Sequence, residues 1–247
     1  SGEFFQEILT KEGVRQIAIP CSNRTRENFV VVESETNQQF RFVMPGPPLL
    51  EEEWQACLEV LKNPSTKVDY IIASGSTPEG VPLDFYGRLA KIANEKNAKL
   101  ILDTSGENLK AALEEGIYLL KPNSNELSEM VGRELKTIAE QEEAAKEIIQ
   151  KGKIEILVVS MGPSGALIAS KNEFAIVSAP AVKKQSTVGA GDSMVAGLVW
   201  AISNNYPLKN ALCYGIACGT AATLNTGTEL CNLNDVEKLY NWMLKNN

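Results

Sequence analysis

The chain has 247 residues, of which 44% are hydrophobic and 22% are charged, and its formal net charge at pH 7 is −7. This length is enough for one large α/β domain or two small ones, and the composition is ordinary for a globular protein. The acidic balance argues against nucleic acid or an anionic membrane surface as a partner, because both bind basic faces.

The residue types that are missing exclude whole classes of chemistry. The chain contains no histidine, which removes His-dependent nucleophilic triads and most zinc sites. Its five cysteines form no CxxC pair, so we expect buried, reduced thiols in a cytoplasmic protein. No apolar run reaches membrane-spanning length.

The first part of the chain is predicted to hold two helices, a short strand and a β-hairpin. Apolar residues at helical spacing predict an opening helix that stops at Gly13. A short strand is predicted at 14–20. Two further strands at 28–34 and 38–44 flank a polar turn, which is typical of a hairpin. A helix is predicted at 50–62.

From residue 68 onward, strands and helices alternate. The predicted strands lie at 68–73, 99–103, 117–121, 154–160, 166–170 and 173–179, and the predicted helices lie at 82–97, 108–116, 125–132, 138–152, 190–204, 208–224 and 233–245. The strands are almost continuously apolar, so both of their faces should be covered. The pattern predicts an α/β fold in three layers, with a mostly parallel central sheet between two layers of helices.

Polar clusters follow four of the predicted strands, at 74–80, 103–107, 121–126 and 160–165. In open sheets of this kind the ligand site lies beyond the carboxyl ends of the strands. Each cluster alone could be ordinary turn chemistry, since turns favour Gly, Pro, Asn and Ser. Together at one rim, with the turn at 189–192, they predict a polar cleft.

The turn Gly189-Ala190-Gly191-Asp192 stands directly before an apolar, helix-like run. Small residues at a helix N-terminus leave backbone amides bare, and the helix dipole adds positive potential, so the turn is an anion site. Asp192 could simply cap the helix. The functional alternative is that the amides hold charge developing on a phosphoryl group while Asp192 accepts the proton of an attacking hydroxyl.

Other common nucleotide-binding motifs are missing from the sequence. The chain contains no GxxxxGK[ST] motif, no GxGxxG after its first strands and none of the protein-kinase signature loops. A P-loop enzyme and a protein kinase are therefore excluded, and an oxidoreductase with a dinucleotide-binding fold is disfavoured.

Three motifs, STVGAGDSMVAG, KPNSNE and SMGPSGAL, resemble in their order and spacing the ribokinase-like sugar kinase family, the phosphofructokinase B group. The similarity covers nearly the whole chain. The segments FRFVMPG, TSGE and TLNTGTELC further resemble the bacterial minor 6-phosphofructokinase branch and its tagatose-6-phosphate kinase relatives. The resemblance implies one three-layer α-β-α ribokinase-like domain over 1–247, with the hairpin at 28–44 contributing to a small β lid.

The activity that this resemblance implies is ATP-dependent phosphorylation of a sugar phosphate. The implied substrate is fructose 6-phosphate, with tagatose 6-phosphate and fructose 1-phosphate as alternatives, and the implied cofactors are Mg²⁺ and K⁺. The resemblance also implies a cytoplasmic homodimer that forms through the β lid. No nucleic acid or membrane partner is expected.

The resemblance assigns roles to individual positions of this sequence. Asp192 matches the catalytic base, and Gly189, Ala190 and Gly191 match the anion hole. The nucleotide is expected at Lys121, Asn123, Ser160, Gly162, Gly165, Lys184 and Thr220, and the sugar phosphate at Arg26 and Ser76 beside Asp192. Glu126 is expected to act on Mg²⁺ through water, and the K⁺ loop matches Ser186, Val188, Ala222, Asn225 and Gly227.

The chain departs from the family pattern at its beginning. The family opens with a strand that carries a sugar-binding Asp, followed by a Gly-rich loop before an Asn, and neither is found here. We therefore expect a chain that lacks the N-terminal part of the family fold and has an incomplete sugar pocket. A non-catalytic nucleotide-binding fragment of such a kinase is the alternative from a different functional class.

Overall fold

The structure, a computed structural model, describes residues 1–33, 35–36 and 38–247. The predicted hairpin included Ser34 at the end of its first strand and Asn37 in its turn, and these two residues lie outside the described ranges. The strands are β1 Phe29–Val32, β2 Gln39–Phe42, β3 Tyr70–Ser74, β4 Lys99–Asp103, β5 Ile117–Leu120, β6 Ile154–Ser160, β7 Ala166–Ser170 and β8 Phe174–Val177. The helices are α1 Gly2–Lys11, α2 Glu51–Lys62, α3 Phe85–Glu95, α4 Glu107–Glu115, α5 Ser124–Val131, α6 Ile138–Gln150, α7 Ala190–Ser203, α8 Leu208–Ala222 and α9 Leu233–Asn246.

The central sheet has six strands in the order β3-β4-β5-β6-β7-β8. Strands β3 to β6 pair in parallel, and β7 and β8 continue the sheet as an antiparallel pair. Because the first four strands are parallel, their carboxyl ends meet at one edge, where a site is expected. The mostly parallel sheet predicted from the sequence is confirmed.

Helices cover both faces of the sheet, as the prediction of three layers requires. Neighbouring side chains of β4 point to opposite sides, so Leu102 joins a cluster with α2 to α6, and Ile101 joins a second cluster with α7, α8 and α9. Leu102 and Ile101 are both fully buried. The continuous apolar runs in β4 to β7 are explained by this two-sided burial.

Two expectations about strands are wrong. Residues 14–20 form no strand; this segment is exposed, with Val14 48% and Ile17 71% accessible, and it pairs with no strand of the described chain. Apolar residues alone do not make a strand when the backbone has no ladder to join. Strand β3 is not covered on both faces, because it lies at the edge of the sheet and leaves Ile72 50% accessible.

The hairpin β1–β2 forms a two-stranded sheet of its own, apart from the central sheet. Its register pairs Phe29 with Phe42 and Val31 with Phe40, which puts these four side chains on one face. All four are about half exposed, and the rings of Phe29 and Phe42 stack. The opposite face carries Arg41.

All five cysteines are free thiols, but only part of the expected burial is found. Cys213 and Cys218 are buried in α8, and burial raises the pKa of the Cys218 thiol to about 12. Cys57 and Cys231 are half-buried, and the prediction is wrong for Cys21, which is exposed. None of the helices in the described ranges is long and apolar enough to cross a membrane.

Helices α7 and α8 approach each other closely through glycine. A Cβ atom on Gly215 of α8 would lie 2.6 Å from the Cγ atom of Leu198 and 3.1 Å from the carbonyl oxygen of Met194, both on α7. This close contact fixes the helix whose N-terminus reaches the candidate site.

We predict that Gly215→Ala lowers the free energy of unfolding by about 1 to 2 kcal/mol, because the added methyl group would overpack the α7–α8 contact. Helix propensity alone predicts the opposite sign, a gain of about 1 kcal/mol. Urea unfolding followed by circular dichroism distinguishes the two. A more stable variant would contradict the close packing.

Candidate active site

The N-terminus of α7 lies at the carboxyl edge of the parallel strands. Gly189 precedes the helix in a left-handed conformation with φ 74°, which favours glycine. The first bond of the helix ladder here runs from the Ser193 amide to the Gly189 carbonyl, at 2.8 Å. The amides of Ala190, Gly191 and Asp192 therefore precede the ladder and have no partner within the helix. The anion site at this turn stays a prediction.

Asp192 does not act as a helix cap. It is the third residue of α7, Gly189 occupies the cap position, and no side-chain capping bond forms. Its Oδ1 atom instead lies 3.5 Å from the hydroxyl of Ser74, which donates to it from the end of β3. The carboxylate is exposed. It is thus free to accept a proton from a ligand.

A buried ion pair lies beside this turn. The Lys121 ammonium group is 3.0 Å from Oδ1 of Asp103, with 6% and 17% of the two side chains accessible. The same Nζ atom lies 3.8 Å from the point where a Cβ on Gly191 would be. A fixed positive charge therefore stands at the mouth of the anion site.

Two further carboxylates act electrostatically on the Asp103 side of this ion pair. Burial raises the pKa of Asp103, and the Coulombic repulsion of Glu126 and Asp192 raises this pKa further, while the Lys121 ammonium group opposes the shift. Asp103 at the end of β4, Glu126 in the first turn of α5 and Asp192 in the first turn of α7 thus interact electrostatically. Within the described residues, no three potential ligands form a ready-made metal cluster.

The predicted nucleotide residues after β5 and β6 lie together. Asn123 and Ser160 form an isolated parallel bridge, and the Ser160 amide donates to the Pro122 carbonyl at 3.0 Å. Asn123 and Glu126 also form the capping box of α5, in which Oε2 of Glu126 accepts from the Asn123 amide at 2.8 Å. Both side chains therefore have a structural role in addition to any role with a ligand.

The loop between β6 and β7 is a single 3-10 turn at Gly162–Ser164. Gly165 follows it with φ 98°, and a Cβ atom there would overlap the Val177 carbonyl oxygen. The glycine that the sequence assigns to the nucleotide loop is thus also required by close backbone packing. Thr220 lies on α8 next to Gly219, where an added Cβ would be 3.0 Å from the Ala190 carbonyl oxygen.

The two segments assigned to K⁺ lie against each other. The Ser186 hydroxyl donates to the Gly227 carbonyl at 2.6 Å, and the Val188 amide donates to the Ser186 hydroxyl at 3.2 Å. The Asn225 amide donates to the Ala222 carbonyl at 3.3 Å. Of the five residues assigned to K⁺, Ser186 and Gly227 are thus in direct contact across the two segments, and Ser186 is buried.

The residues assigned to the sugar phosphate are less tightly joined. Ser76 is exposed in the loop after β3, close in sequence to Ser74. The side chain of Arg26 packs near Gly46, and no hydrogen bond within the described ranges joins it to Ser76 or Asp192. Lys184 lines a cleft with Arg41 of the hairpin and with Thr187.

The structure places four residues at the site to which the sequence assigned no role: Ser74, Asp103, Arg41 and Thr187. Ser74 and Asp103 begin the polar clusters at 74–80 and 103–107, so their position after a strand was the available signal. Arg41 and Thr187 gave no such signal, because their contact joins residues far apart in the sequence.

Comparisons with known proteins agree with this geometry. The profile for "pfkB family carbohydrate kinase" matches residues 1–235. The ATP-dependent 6-phosphofructokinase isozyme 2 of Mycobacterium tuberculosis strain H37Rv is 41% identical over 240 residues, which cover 97% of this chain and 70% of that protein. The 1-phosphofructokinase of Bacillus subtilis is 32% identical over 231 residues, covering 93% and 75%.

A solved structure gives the same result. The crystal structure of phosphofructokinase-2 from Escherichia coli in complex with potassium superposes with a TM-score of 0.93 at 40% identity, covering 98% of this chain and 79% of that one. The chain therefore belongs to the pfkB family of carbohydrate kinases. Its ribokinase-like fold, predicted from the sequence, is confirmed.

We predict that Asp103→Asn lowers the free energy of unfolding by about 3 kcal/mol, because it leaves the buried Lys121 ammonium group without its counter-charge. Asp84→Asn is the matched control, since it breaks an exposed pair with Arg88 and should cost about 1 kcal/mol or less. Urea unfolding measures both. Equal losses of unfolding free energy in the two variants would show that the buried pair contributes no more to stability than the exposed pair.

Proposed function

We propose that this carbohydrate kinase transfers the γ-phosphoryl group of ATP to a hydroxyl group of a sugar phosphate, with Asp192 as the base. One observation carries the proposal. The Asp192 carboxylate lies in the first turn of α7 without serving as the helix cap, beside amides that precede the helix ladder and beside the buried Lys121 ammonium group. A base and a phosphoryl-binding turn at one point are what phosphoryl transfer needs from a protein.

Each part of the site has one task in this reaction. Asp192 accepts the proton of the attacking hydroxyl group at Oδ1 or Oδ2, and the hydrogen bond from Ser74 holds the carboxylate in place. The amides of Ala190 and Gly191, supported by the dipole of α7, stabilise the charge on the transferred phosphoryl oxygens. Lys121 adds a positive charge that is already desolvated, so little reorganisation is needed.

The arrangement of carboxylates fits a divalent cation that enters with the nucleotide. The mutual repulsion that raises the pKa of Asp103 would be relieved by such an ion near Glu126. Mg²⁺ usually keeps several waters and takes only one or two protein carboxylates, so a ready-made cluster is not required. Bound there, the ion would neutralise charge on the nucleotide phosphates.

The neutral oxygen atoms around Ser186 and Gly227 fit a monovalent cation. Neutral carbonyl oxygens suit K⁺ better than a small divalent ion, and the similar phosphofructokinase-2 from Escherichia coli crystallised in complex with potassium. The loop that would hold K⁺ leads directly into Gly189. We propose that its role is to fix this turn.

We propose fructose 6-phosphate as the acceptor. The relative that is 41% identical carries the name 6-phosphofructokinase, whereas the 1-phosphofructokinase is 32% identical, so fructose 1-phosphate is the weaker candidate. Tagatose 6-phosphate stays open as an alternative. Arg26 would contact the substrate phosphate, since a guanidinium group donates two parallel bonds to phosphate, and Ser76 would lie near the sugar.

We further propose a single kinase domain over 1–247 whose 28–44 hairpin is a lid and a dimer contact. Its outward face shows Phe29, Val31, Phe40 and Phe42, each 46–52% exposed. A ribbon of two strands with an apolar outer face is unstable alone and would be stabilised by pairing with the same face of a second copy.

We predict that Asp192→Asn abolishes turnover but keeps the dissociation constant for Mg-ATP within a few-fold, because the amide cannot accept the proton while the nucleotide contacts remain. ADP release with fructose 6-phosphate measures turnover, and calorimetry measures binding. Asp84→Asn, at the exposed residue before α3, is the control. Intact turnover in Asp192→Asn would remove this residue from the mechanism.

We predict that Glu126→Gln raises the Mg²⁺ concentration needed for half-maximal activity several-fold without unfolding α5, because Gln also closes a capping box. Glu140→Gln is the matched control, since Glu140 closes the capping box of α6 with Thr137. Magnesium titrations of activity compare the two. The role of Glu126 would be refuted by identical titrations.

A further inference from the structure

The loop 185–189 leads into the anion-binding turn and is held on its inner side. The Ser186 hydroxyl donates to the Gly227 carbonyl, and the Gln185 and Ser186 amides donate to the Thr223 carbonyl at 2.8 and 3.3 Å. The acceptor carbonyl groups of these bonds lie in the segment that follows α8. They fix one side of the loop, and the other side of the loop faces the hairpin.

The hairpin holds the outer side of the same loop. A guanidinium nitrogen of Arg41 donates to the Thr187 hydroxyl at 2.5 Å, and the Gln39 side-chain amide donates to the Gln185 carbonyl at 3.3 Å. Both donors lie on β2 and on the face opposite Phe42. The hairpin therefore turns the face with Gln39 and Arg41 to the loop and the face with Phe29 and Phe42 to solvent.

Arg41 is oriented by this contact rather than by an acid. It lines a cleft of about 530 Å³ together with Gln39, Lys184, Gln185 and Thr187, and none of these lining residues is a carboxylate. In the part of the chain that the structure describes, Arg41 also forms no ion pair within 4.0 Å. The Thr187 hydroxyl thus fixes a guanidinium group in a region of positive charge.

We propose that Arg41 is a positioning residue for phosphoryl transfer, acting through Thr187 on the anion-binding turn. This inference rests on the proposed kinase function. The Arg41–Thr187 hydrogen bond, here called the latch, holds the loop two residues before Gly189. When the hairpin is seated, the latch restrains the loop, and the amides of Ala190 and Gly191 converge on one point. When the hairpin is displaced, the outer restraint is lost.

Through the latch, closure of the hairpin could alter the anion-binding turn although Arg41 does not contact the reacting atoms. Small displacements of a catalytic turn lower the rate strongly, because stabilisation of the transition state depends on preorganised donors. A lid that seats only when both substrates are bound would therefore set the turn at that moment. The latch would limit transfer to water as well as speed transfer to the sugar.

The test compares the full chain with four variants and a control. Arg41→Met removes the donor, Thr187→Val removes the acceptor at nearly constant shape, and the double variant removes both. Thr187→Ser keeps the hydroxyl group. Arg15→Met is the control, because Arg15 is exposed and carries no assigned role. The readouts are kcat, the KM for ATP, and hydrogen exchange of the amides at 185–189.

We expect Arg41→Met and Thr187→Val each to lower kcat about tenfold, because a less restrained turn stabilises the transition state less well. The double variant should be no slower than either single variant, because both remove the same interaction. Thr187→Ser and Arg15→Met should stay within about twofold of the parent chain. The KM for ATP should not change, and exchange at 185–189 should accelerate in both single variants.

Two results would overturn the latch: losses that multiply in the double variant, or kcat values for Arg41→Met and Arg15→Met that do not differ. Failure of the proposed function looks different, since the parent chain would then phosphorylate no sugar phosphate. In that case the exchange measurement decides alone. Unchanged exchange at 185–189 in Arg41→Met would overturn the latch, and faster exchange would support it.

Discussion

The buried ion pair between Lys121 and Asp103 is the interaction on which the site depends. The two groups end neighbouring parallel strands, and with 6% and 17% of their side chains accessible they have lost most of their hydration. Such a pair is costly to form and more costly to break, because one partner alone leaves an uncompensated charge. The sheet edge therefore keeps a positive charge beside Gly191, next to the first turn of α7. An acidic chain of net charge −7 can in this way present a local anion site.

The N-terminus of α7, in the helix layer that also contains α8 and α9, adds further positive potential next to Lys121. Gly215 lets α7 and α8 pack at close distance, and the short side chains of the turn leave the amides uncovered. Loop 185–189 is then held between the segment after α8 on its inner side and the hairpin on its outer side. The proposed cation site, the proposed lid and the proposed base thus all adjoin one turn.

The sequence predicts the elements of the central sheet well and their tertiary pairing poorly. Strands such as β4 and β6 have the predicted bounds, because residues buried on both faces leave a continuous apolar run. The segment 14–20 shows the limit, since a strand also needs a partner that no local pattern reveals. The turn at 189–192 could be predicted because adjacent residues in the sequence define it. The Lys121–Asp103 pair joins the ends of two strands, and the Arg41–Thr187 bond joins residues 146 positions apart, so neither pairing leaves a local signal.

The most direct test of the account is to measure ADP release and phosphorylated product for the chain with Mg-ATP and fructose 6-phosphate, tagatose 6-phosphate, fructose 1-phosphate or ribose. The account predicts ADP and sugar bisphosphate in equal amounts with fructose 6-phosphate, and much less product with ribose. It would be contradicted if Mg-ATP binds while none of the four sugars is phosphorylated. The site would then bind nucleotide without catalysing transfer.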